Sequence, residues 1–186
     1  MSIRVIAGTA KGRHLNLVPG DGTRPVMDRV KEALFNILGD AIDGSTFLDL
    51  YAGTGSVGIE ALSRGASSAV FVDNDRSAVK TIEENLKTTG FTKQTQIVRA
   101  DVRDFIRRPA STPYEVVYIA PPQYKGLWRE TLSLLDANAE HVALDGLVIV
   151  QIDPQEKTDV TLNVLSAYDE RRYGNTLLCF FERPGS

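Results

Sequence analysis

From residue 45 onward, continuous apolar runs alternate with segments in which apolar residues recur at helical spacing. Such runs are typical of strands that are buried on both faces of a parallel sheet. The predicted strands cover residues 46–50, 69–72, 96–98, 114–119 and 146–152. The predicted helices between them cover about residues 57–64, 77–89, 102–107 and 127–138. The alternation predicts an α/β fold in which helices cover both faces of a mostly parallel, Rossmann-like sheet.

Both ends of the chain depart from this alternation. Residues 3–6 and 14–17 alternate apolar and polar positions, which predicts an N-terminal β-hairpin. Near the C-terminus, residues 163–173 and 176–182 flank Gly174-Asn175, a turn that suits an antiparallel hairpin closing the sheet. We therefore predict a hairpin and loop over residues 1–27 and a main domain over residues 28–186. The main domain begins with a helix from Asp28, as N-cap, to Gly39.

Length and composition indicate one domain with no membrane segment. A chain of 186 residues with 42% hydrophobic content can bury one sizeable core. No run approaches the roughly 20 apolar residues of a membrane span, and the first residues lack the apolar stretch of a secretory signal. The single cysteine, Cys179, excludes an internal disulfide. Because the only histidines of the sequence are His14 and His141, no metal site is predicted. We expect a cytoplasmic monomer.

Charge is distributed unevenly along the chain. The overall net charge is −3, but residues 1–31 carry six basic and two acidic side chains, which leaves this segment at +4. Because phosphate binding needs only a local basic patch, the segment is a candidate contact for a polyanion. A solvated surface whose charges balance by chance is the alternative.

A glycine motif, Gly53-Thr54-Gly55-Ser56-Val57-Gly58, follows the first strand of the main domain and opens a helix. Glycines permit a tight turn and close approach of a ligand, and a helix N-terminus offers free N–H groups. Asp73 ends the second strand, where a carboxylate can accept from ribose hydroxyls, and Asp101 ends the third, within reach of an adenine amine. The motif alone also fits a nicotinamide dinucleotide.

Asp49 discriminates between the two kinds of cofactor. It lies on the first strand, four residues before Gly53. A carboxylate there would repel a pyrophosphate but would suit a ligand that carries an ammonium and a sulfonium group. This favours S-adenosylmethionine and argues against a nicotinamide oxidoreductase.

The segment Ala120-Pro121-Pro122-Gln123-Tyr124 is the candidate substrate site. It directly follows the predicted strand 114–119. Two adjacent prolines remove two backbone donors and fix the chain direction, so that the carbonyl groups can accept from a substrate amine. A merely rigid turn is the alternative for the segment taken by itself.

Four runs of the sequence resemble the RsmD family of class I, S-adenosylmethionine-dependent methyltransferases. These runs are Arg4–Gly8, Arg24–Leu38, Asp49–Ala66 and Arg172–Gly174, and the resemblance covers nearly the whole chain. The run beginning Arg24-Pro25 is the most family-specific. The resemblance implies methylation of the exocyclic N2 amine of a guanine in bacterial small-subunit ribosomal RNA. The implied partner is this RNA or the assembling 30S particle.

The resemblance also assigns residues. It implies that Asp49, Gly53 and Gly55 line the methionine part of the cofactor, that Asp73 holds the ribose, and that Asp101 and Val102 meet the adenine. The same segments add Tyr51, Ala52, Thr54, Gly58 and Asn74 to the predicted cofactor site. Arg24, Pro25, Asp28 and Arg29 would lie near the cofactor mouth. The predicted RNA-contacting residues are Arg4, Lys11, Arg13, Arg24 and Arg29.

One departure from the family pattern opens a second hypothesis. The family's fourth motif starts with Asp or Asn followed by Pro-Pro and an aromatic residue, whereas this chain has Ala120 at the first position. In this motif the side-chain oxygen and the next carbonyl, here that of Pro121, accept from the target amine, and the aromatic residue, here Tyr124, stacks on the flipped base. Pro122 and Gln123 complete the predicted catalytic segment.

Loss of one acceptor could lower the rate by about 10²–10³-fold. Gln123 or Asp153 could compensate. If neither does, the protein would be a weakened or inactive factor that binds cofactor and RNA during ribosome assembly.

Overall fold

A seven-stranded sheet forms the centre of the computed structural model, which describes residues 2–20 and 25–185. The strands of the chain are, in order, β1 (Ile3–Arg4), β2 (His14–Leu15), β3 (Thr46–Leu50), β4 (Ser68–Asp73), β5 (Thr95–Arg99), β6 (Tyr114–Ile119), β7 (Val142–Ile152), β8 (Ser166–Tyr173) and β9 (Thr176–Glu182). The α-helices are α1 (Asp28–Leu38), α2 (Ser56–Ser63), α3 (Arg76–Thr89), α4 (Val102–Arg107) and α5 (Leu127–Ala137). Strands β1 and β2 form a separate two-stranded hairpin.

The order of the strands in the large sheet is β5-β4-β3-β6-β7-β9-β8. The first five of these are parallel, and β9 and β8 are antiparallel to their neighbours. The predicted α/β fold with a C-terminal antiparallel hairpin is confirmed. Because the chain winds outward from β3 in one direction and from β6 in the other, the two strands meet at a topological switch point. Ligands of open α/β sheets bind beside the carboxyl ends of such strands.

Helices cover both faces of the sheet. Successive residues of a strand point to opposite faces, so Phe47 packs on the side of α1, α2 and α3 while Leu48 packs on the side of α4 and α5. The N-terminal hairpin adds Ile3, Val5 and Leu15 to the core on the Phe47 side. We call this the α1 face and the other the α5 face. None of the helices within the two described stretches has the length and apolar character needed to cross a membrane.

Helix α1 begins one position away from the prediction. Met27 occupies the N-cap position, no side chain caps the helix, and Asp28 is its first helical residue. The predicted capping role of Asp28 is therefore wrong. The carboxylate of Asp28 instead lies 3.2 Å from the guanidinium of Arg4 on the hairpin. The helix ends at Leu38, and Gly39 follows it with a φ of 51°. The predicted end of the helix at Gly39 is therefore confirmed.

Two strand boundaries also differ from the sequence pattern. Strand β7 starts at Val142 rather than at Gly146, because the chain around the irregular residue Asp145 (φ 63°) is held by backbone hydrogen bonds to Arg183. Strand β8 starts at Ser166 rather than at residue 163. The carboxylate of Asp136 accepts the backbone N–H groups of residues 163–165, so these donors are not available for pairing.

Candidate cofactor and substrate site

The glycine motif forms a tight turn between β3 and α2. Tyr51, Gly53 and Gly55 all have left-handed backbone angles, with φ values of 61°, 59° and 79°. Such an angle is unfavourable for a bulky residue and is found where surrounding contacts hold it in place. The hydroxyl groups of Tyr51 and Thr131 share a hydrogen bond of 2.7 Å, which anchors the turn to α5. Apart from Gly53 itself and its two chain neighbours, no atom of the described residues lies within 4 Å of a Cβ built on Gly53, so the space beside it is open to a ligand.

Gly58 allows α2 to lie against the sheet. A Cβ at this position would come within 2.4 Å of a ring carbon of Phe71 and within 3.2 Å of Oδ2 of Asp49. Only glycine fits such an approach without a shift of its neighbours. The third glycine of the motif therefore sets the packing of helix on sheet.

Asp49 is a buried carboxyl group at the centre of this region. It is 2% exposed, and its Oδ2 accepts from the Gly58 N–H at 3.0 Å. Burial, with a further contribution from the charge of Asp73, raises the pKa of Asp49 to about 8. A nearby cation would favour the ionised form of this carboxyl. Its surroundings are consistent with a ligand that carries positive charge.

Asp73 lies at the end of β4, beside the glycine turn. Its Oδ2 accepts from the Gly53 N–H at 2.9 Å and its Oδ1 from the Asp75 N–H at 3.0 Å. Ala52 is tied to the same strand end through its N–H, which donates to the Val72 carbonyl at 3.1 Å. Asn74, which follows Asp73 in the sequence, is exposed, and its carbonyl accepts from the Arg99 guanidinium at 3.3 Å. The carboxyl ends of β3 and β4 thus form one continuous polar edge.

Asp101, which is predicted to meet the adenine, also makes contacts within the protein that the sequence did not indicate. It caps α4 by accepting the Arg103 N–H at 2.8 Å, and it forms an ion pair with the Arg103 guanidinium at 2.8 Å. The side-chain hydrogen bond from Arg103 is the main reason why the pKa of Asp101 is lowered to about 2. Val102, the first residue of α4, is buried beside it. The group predicted to meet an adenine amine is therefore ionised and already oriented.

Asn85 is a residue of this region that sequence reasoning missed. It lies fully buried on α3, and its amide donates to the carbonyl of Thr54 at 2.9 Å and to that of Asn16 at 3.1 Å. Its Oδ1 accepts from the Asn16 N–H at 2.7 Å. One amide thus joins the glycine turn to the segment after the N-terminal hairpin. An isolated asparagine within an amphipathic helix carries no sequence signal for such a role.

Glu60 joins α2 to the N-terminal segment. It is 0% exposed and accepts from the N–H groups of Ile6 and Ala7 at 2.9 and 3.1 Å. It also pairs with Arg64 at 2.8 Å and with Lys31 at 3.3 Å. Lys31 is one of the six basic residues within residues 1–31, but it is 1% exposed and its burial lowers its pKa. Lys31 stabilises the interior and is not part of the polyanion surface.

The segment Ala120–Tyr124 projects from the end of β6, next to the glycine turn. Ala120 donates its N–H to the Leu50 carbonyl of β3 at 3.4 Å, and Pro121 is buried. The chain then turns outward, so that Pro122 and Gln123 are exposed. Tyr124 is 63% exposed and has a left-handed backbone with a φ of 63°. An exposed aromatic ring in an unfavourable backbone conformation indicates a functional site.

Tyr124 is held by the turn that follows β7. Its hydroxyl donates to Oδ2 of Asp153 at 2.6 Å, and its N–H donates to Oε1 of Glu156 at 2.7 Å. Asp153 and Glu156 also form a capping box around Pro154–Glu156, which is a short 3₁₀ helix. The hydrogen bond with Tyr124 lowers the pKa of Asp153 and raises that of the tyrosine. Asp153 therefore reaches the candidate substrate segment, and it does so through the aromatic residue.

The basic residues predicted to contact RNA differ in their surroundings. Lys11 and Arg13 are exposed on the hairpin, and Arg4 is exposed but paired with Asp28. Arg29 is exposed at the start of α1, with Nη2 3.8 Å from a Cβ built on Gly174 in the β8–β9 turn. Arg24 lies outside the described residues.

A cavity of about 650 Å³ lies away from these residues, between α5, residues 157–165 and strands β8 and β9. It opens on the α5 face, where Trp128, Cys179 and Phe181 line it. None of its lining residues belongs to the glycine turn or to Ala120–Tyr124. The candidate site therefore does not coincide with this cavity.

The strand order and the glycine turn at the switch point define a class: Rossmann-like α/β proteins with the fold of S-adenosylmethionine-dependent methyltransferases. The chain belongs to the family described as Conserved hypothetical protein 95, whose model matches residues 3–182. Together with the relatives below, this match confirms the resemblance to the RsmD family.

Similar proteins match almost the whole chain. Ribosomal RNA small subunit methyltransferase D of Escherichia coli K12 is 32% identical over 181 residues, 97% of this chain and 90% of the relative. YlbH of Bacillus subtilis is 36% identical over 185 residues, 98% of this chain and 100% of the relative. The solved structure of yhhF from Escherichia coli matches with a TM-score of 0.88 at 31% identity, covering 100% of both chains. More distant structures, at 18% and 14% identity, share the fold and are described as complexes with S-adenosylhomocysteine.

Proposed function

We propose that this protein transfers a methyl group from S-adenosylmethionine to the exocyclic N2 amine of a guanine in small-subunit ribosomal RNA. The observation that carries the proposal is the meeting of two segments at the switch point. The glycine turn with buried Asp49 follows β3, and Ala120–Tyr124 follows the adjacent strand β6. Membership of the family and the name of the Escherichia coli relative support ribosomal RNA as the substrate class. The choice of guanine N2 comes from the family resemblance.

The residues of the glycine turn fit the proposed cofactor. Asp49 offers a buried carboxyl beside the turn, where a cationic ligand would compensate the cost of its ionisation. The open space at Gly53 would give room for the methionine part, and the carboxylate of Asp73 would accept from the ribose hydroxyls. Asp101 and Val102, at the next strand end, would meet the adenine. When bound, S-adenosylmethionine supplies an electrophilic methyl group.

The residues of the substrate segment would position the amine rather than activate it covalently. The carbonyl of Pro121 can accept from the target NH₂, and the exposed ring of Tyr124 can stack on a base taken out of its helix. Positioning a nucleophile against the methyl carbon can supply much of the acceleration. No covalent intermediate is needed for this reaction.

The exposed basic residues Lys11, Arg13 and Arg29 would contact the RNA backbone. Arg4 and Arg24 complete the set of basic residues that we propose for this role. Residues 1–27 would then act as the RNA-contacting part and residues 28–186 as the methyltransferase domain. We propose that the protein acts as a cytoplasmic monomer, on free RNA or on the assembling 30S particle.

The test is transfer of radiolabelled methyl groups to RNA. The purified protein is incubated with labelled S-adenosylmethionine and either naked small-subunit RNA or 30S particles, both taken from cells that lack the protein. We expect incorporation in one of the two substrates, and N2-methylguanosine in the nucleosides by mass spectrometry. Label in another nucleoside would support methyltransferase activity but would contradict guanine N2 as the target. Cofactor binding without incorporation into either substrate would contradict the proposal and would favour the inactive assembly factor suggested by Ala120.

A further inference from the structure

We propose that Gln151 supplies the side-chain acceptor for the target amine that Ala120 lacks. This inference rests on the proposed function, and it assigns a catalytic role to a residue outside the segment 120–124. It explains how a chain with alanine at this position can remain an enzyme.

The pairing of β6 with β7 places Gln151 beside Ala120. The two strands are parallel, and Tyr118 is opposite Ile149 and Ile119 opposite Val150. The same register brings Ala120 opposite Gln151, one residue beyond the end of β6. Residues opposite each other in a parallel pair point to the same face, and neighbouring strands lie about 4.8 Å apart. Tyr118 and Ile149 both point to the α1 face, and Ala120 packs there as well.

Gln151 is held in place by a buried tyrosine. The hydroxyl of Tyr118 donates a hydrogen bond to Oε1 of Gln151. Tyr118 is itself buried and lies opposite Asp49 in the register of β3 and β6. A carboxamide oxygen has two lone pairs, so Oε1 can accept a second hydrogen bond from a substrate amine. An acceptor already oriented by a buried donor costs little reorganisation when the substrate binds.

The two other candidate acceptors are placed less well. Gln123 is exposed on the outward turn after Pro122. Asp153 lies beyond the end of β7 and accepts from the Tyr124 hydroxyl at 2.6 Å and from the Gln155 N–H at 2.9 Å, so its carboxylate is held at the exposed turn rather than beside Ala120. Gln151 is half-buried at the end of the strand next to Ala120, and its oxygen is fixed by a single donor.

The role of Gln151 in the reaction is to orient the nitrogen lone pair. One amine N–H would donate to Oε1 of Gln151 and the other to the carbonyl of Pro121, so that the lone pair faces the methyl carbon. The nitrogen–carbon bond forms as the sulfur–carbon bond breaks, and sulfur keeps the electron pair of the broken bond. The nitrogen then releases one proton to water.

The experiment compares Gln151→Leu with the double variant Ala120→Asp/Gln151→Leu. In the single variant we expect kcat to fall by about 10²-fold, the effect of one positioned polar group. The dissociation constant for S-adenosylmethionine should change by less than twofold. In the double variant the new carboxylate should raise kcat at least tenfold above that of Gln151→Leu. Gln96→Leu, an exposed glutamine on β5, is the matched control and should keep the wild-type rate.

The outcomes separate this inference from the proposed function. Wild-type methyl transfer with an unchanged rate in Gln151→Leu would overturn the inference and leave the proposed function intact. A loss that Ala120→Asp does not rescue would show a structural role for Gln151 and would also overturn it. A wild-type protein without activity would overturn both.

Gln151→Glu decides the question if the leucine variant does not fold. A carboxylate acceptor should retain activity and add an acidic limb to the pH profile of kcat that the wild type lacks. A profile identical to that of the wild type would contradict the inference.

Discussion

The proposed cofactor side and the proposed substrate side of the candidate site are built in different ways. On the cofactor side, Asp49 and Asp73 accept from N–H groups of the glycine motif, and the buried residues Glu60 and Asn85 join this region to the N-terminal segment. On the substrate side, exposed Tyr124 is held by carboxylates of a neighbouring turn. The cofactor side is part of the folding core, whereas the substrate side is added at its surface.

This difference separates stability from activity. Changes on the cofactor side should destabilise the whole protein, because they leave buried polar groups without partners. Changes on the substrate side should affect methyl transfer while the fold persists. The predictions below test this separation.

The largest effect is expected for Glu60→Ala. The variant leaves the ammonium of Lys31 buried with its nearest carboxylate gone, and it removes the acceptor of two backbone N–H groups. Breaking a buried ion pair in this way costs about 3–5 kcal/mol of unfolding free energy. Urea denaturation measures the change. Glu83→Ala, an exposed glutamate of α3, is the control and should stay within about 0.5 kcal/mol of the wild type. A cost below about 1 kcal/mol for Glu60→Ala would show that the buried contacts of Glu60 do not stabilise the fold.

The second prediction concerns the pH dependence caused by Asp49. The pKa of this group is about 8 in the folded protein, against an ordinary value of 3.8 for an aspartate in water. Between these values the folded chain holds a proton that the unfolded chain has released. The contribution of Asp49 to stability is therefore fully present at low pH and is lost as the pH rises to about 8. The slope approaches about 1.4 kcal/mol per pH unit at most.

Asp49→Asn should remove this slope. Unfolding free energies measured by urea titration from pH 5 to pH 8.5 should fall with pH in the wild type and fall less in the variant. Binding of a cationic cofactor to the wild type at pH 7 should release a proton, which calorimetry in buffers of different ionisation enthalpy can detect. Equal slopes in the two proteins would show that Asp49 is ionised in the fold.

A smaller effect is expected for Gly58→Ala. The added methyl group would lie 2.4 Å from a carbon of Phe71, so α2 must move away from the sheet. Overpacking of this kind costs about 1–3 kcal/mol, although alanine favours the helix. Gly53→Ala meets open space, and its φ of 59° should cost only about 1–2 kcal/mol. Thermal unfolding measures both changes, and a midpoint for Gly58→Ala at or above that of the wild type would contradict the packing role of Gly58.

Local patterns of the sequence predicted the parts of this molecule that depend on local interactions. The strands β3 and β6 and the glycine turn follow from hydrophobic runs and glycine positions. Glu60, Asn85 and Gln151 were missed because their partners lie far away in the sequence, at Ile6, Asn16 and Tyr118. A polar residue on a helix or strand gives no local sign that it will be buried. The burial of Lys31 was missed for the same reason, since charge counting assumes that every lysine is exposed.

The smallest effect on stability, and the clearest separation from activity, is expected for Asp153→Asn. The variant weakens the hydrogen bond from the Tyr124 hydroxyl, which joins two exposed groups, so the urea midpoint should not change measurably. The ring would lose its fixed orientation, and kcat for methyl transfer should fall roughly 2- to 10-fold, the contribution of one hydrogen bond. Tyr124→Phe removes the other partner of the same bond and should lower kcat to a similar extent. Because both changes delete one interaction, the double variant should be no slower than either single variant. If the two effects multiply instead, Asp153 acts on the substrate independently of Tyr124, and the contact between the two side chains does not hold the stacking ring.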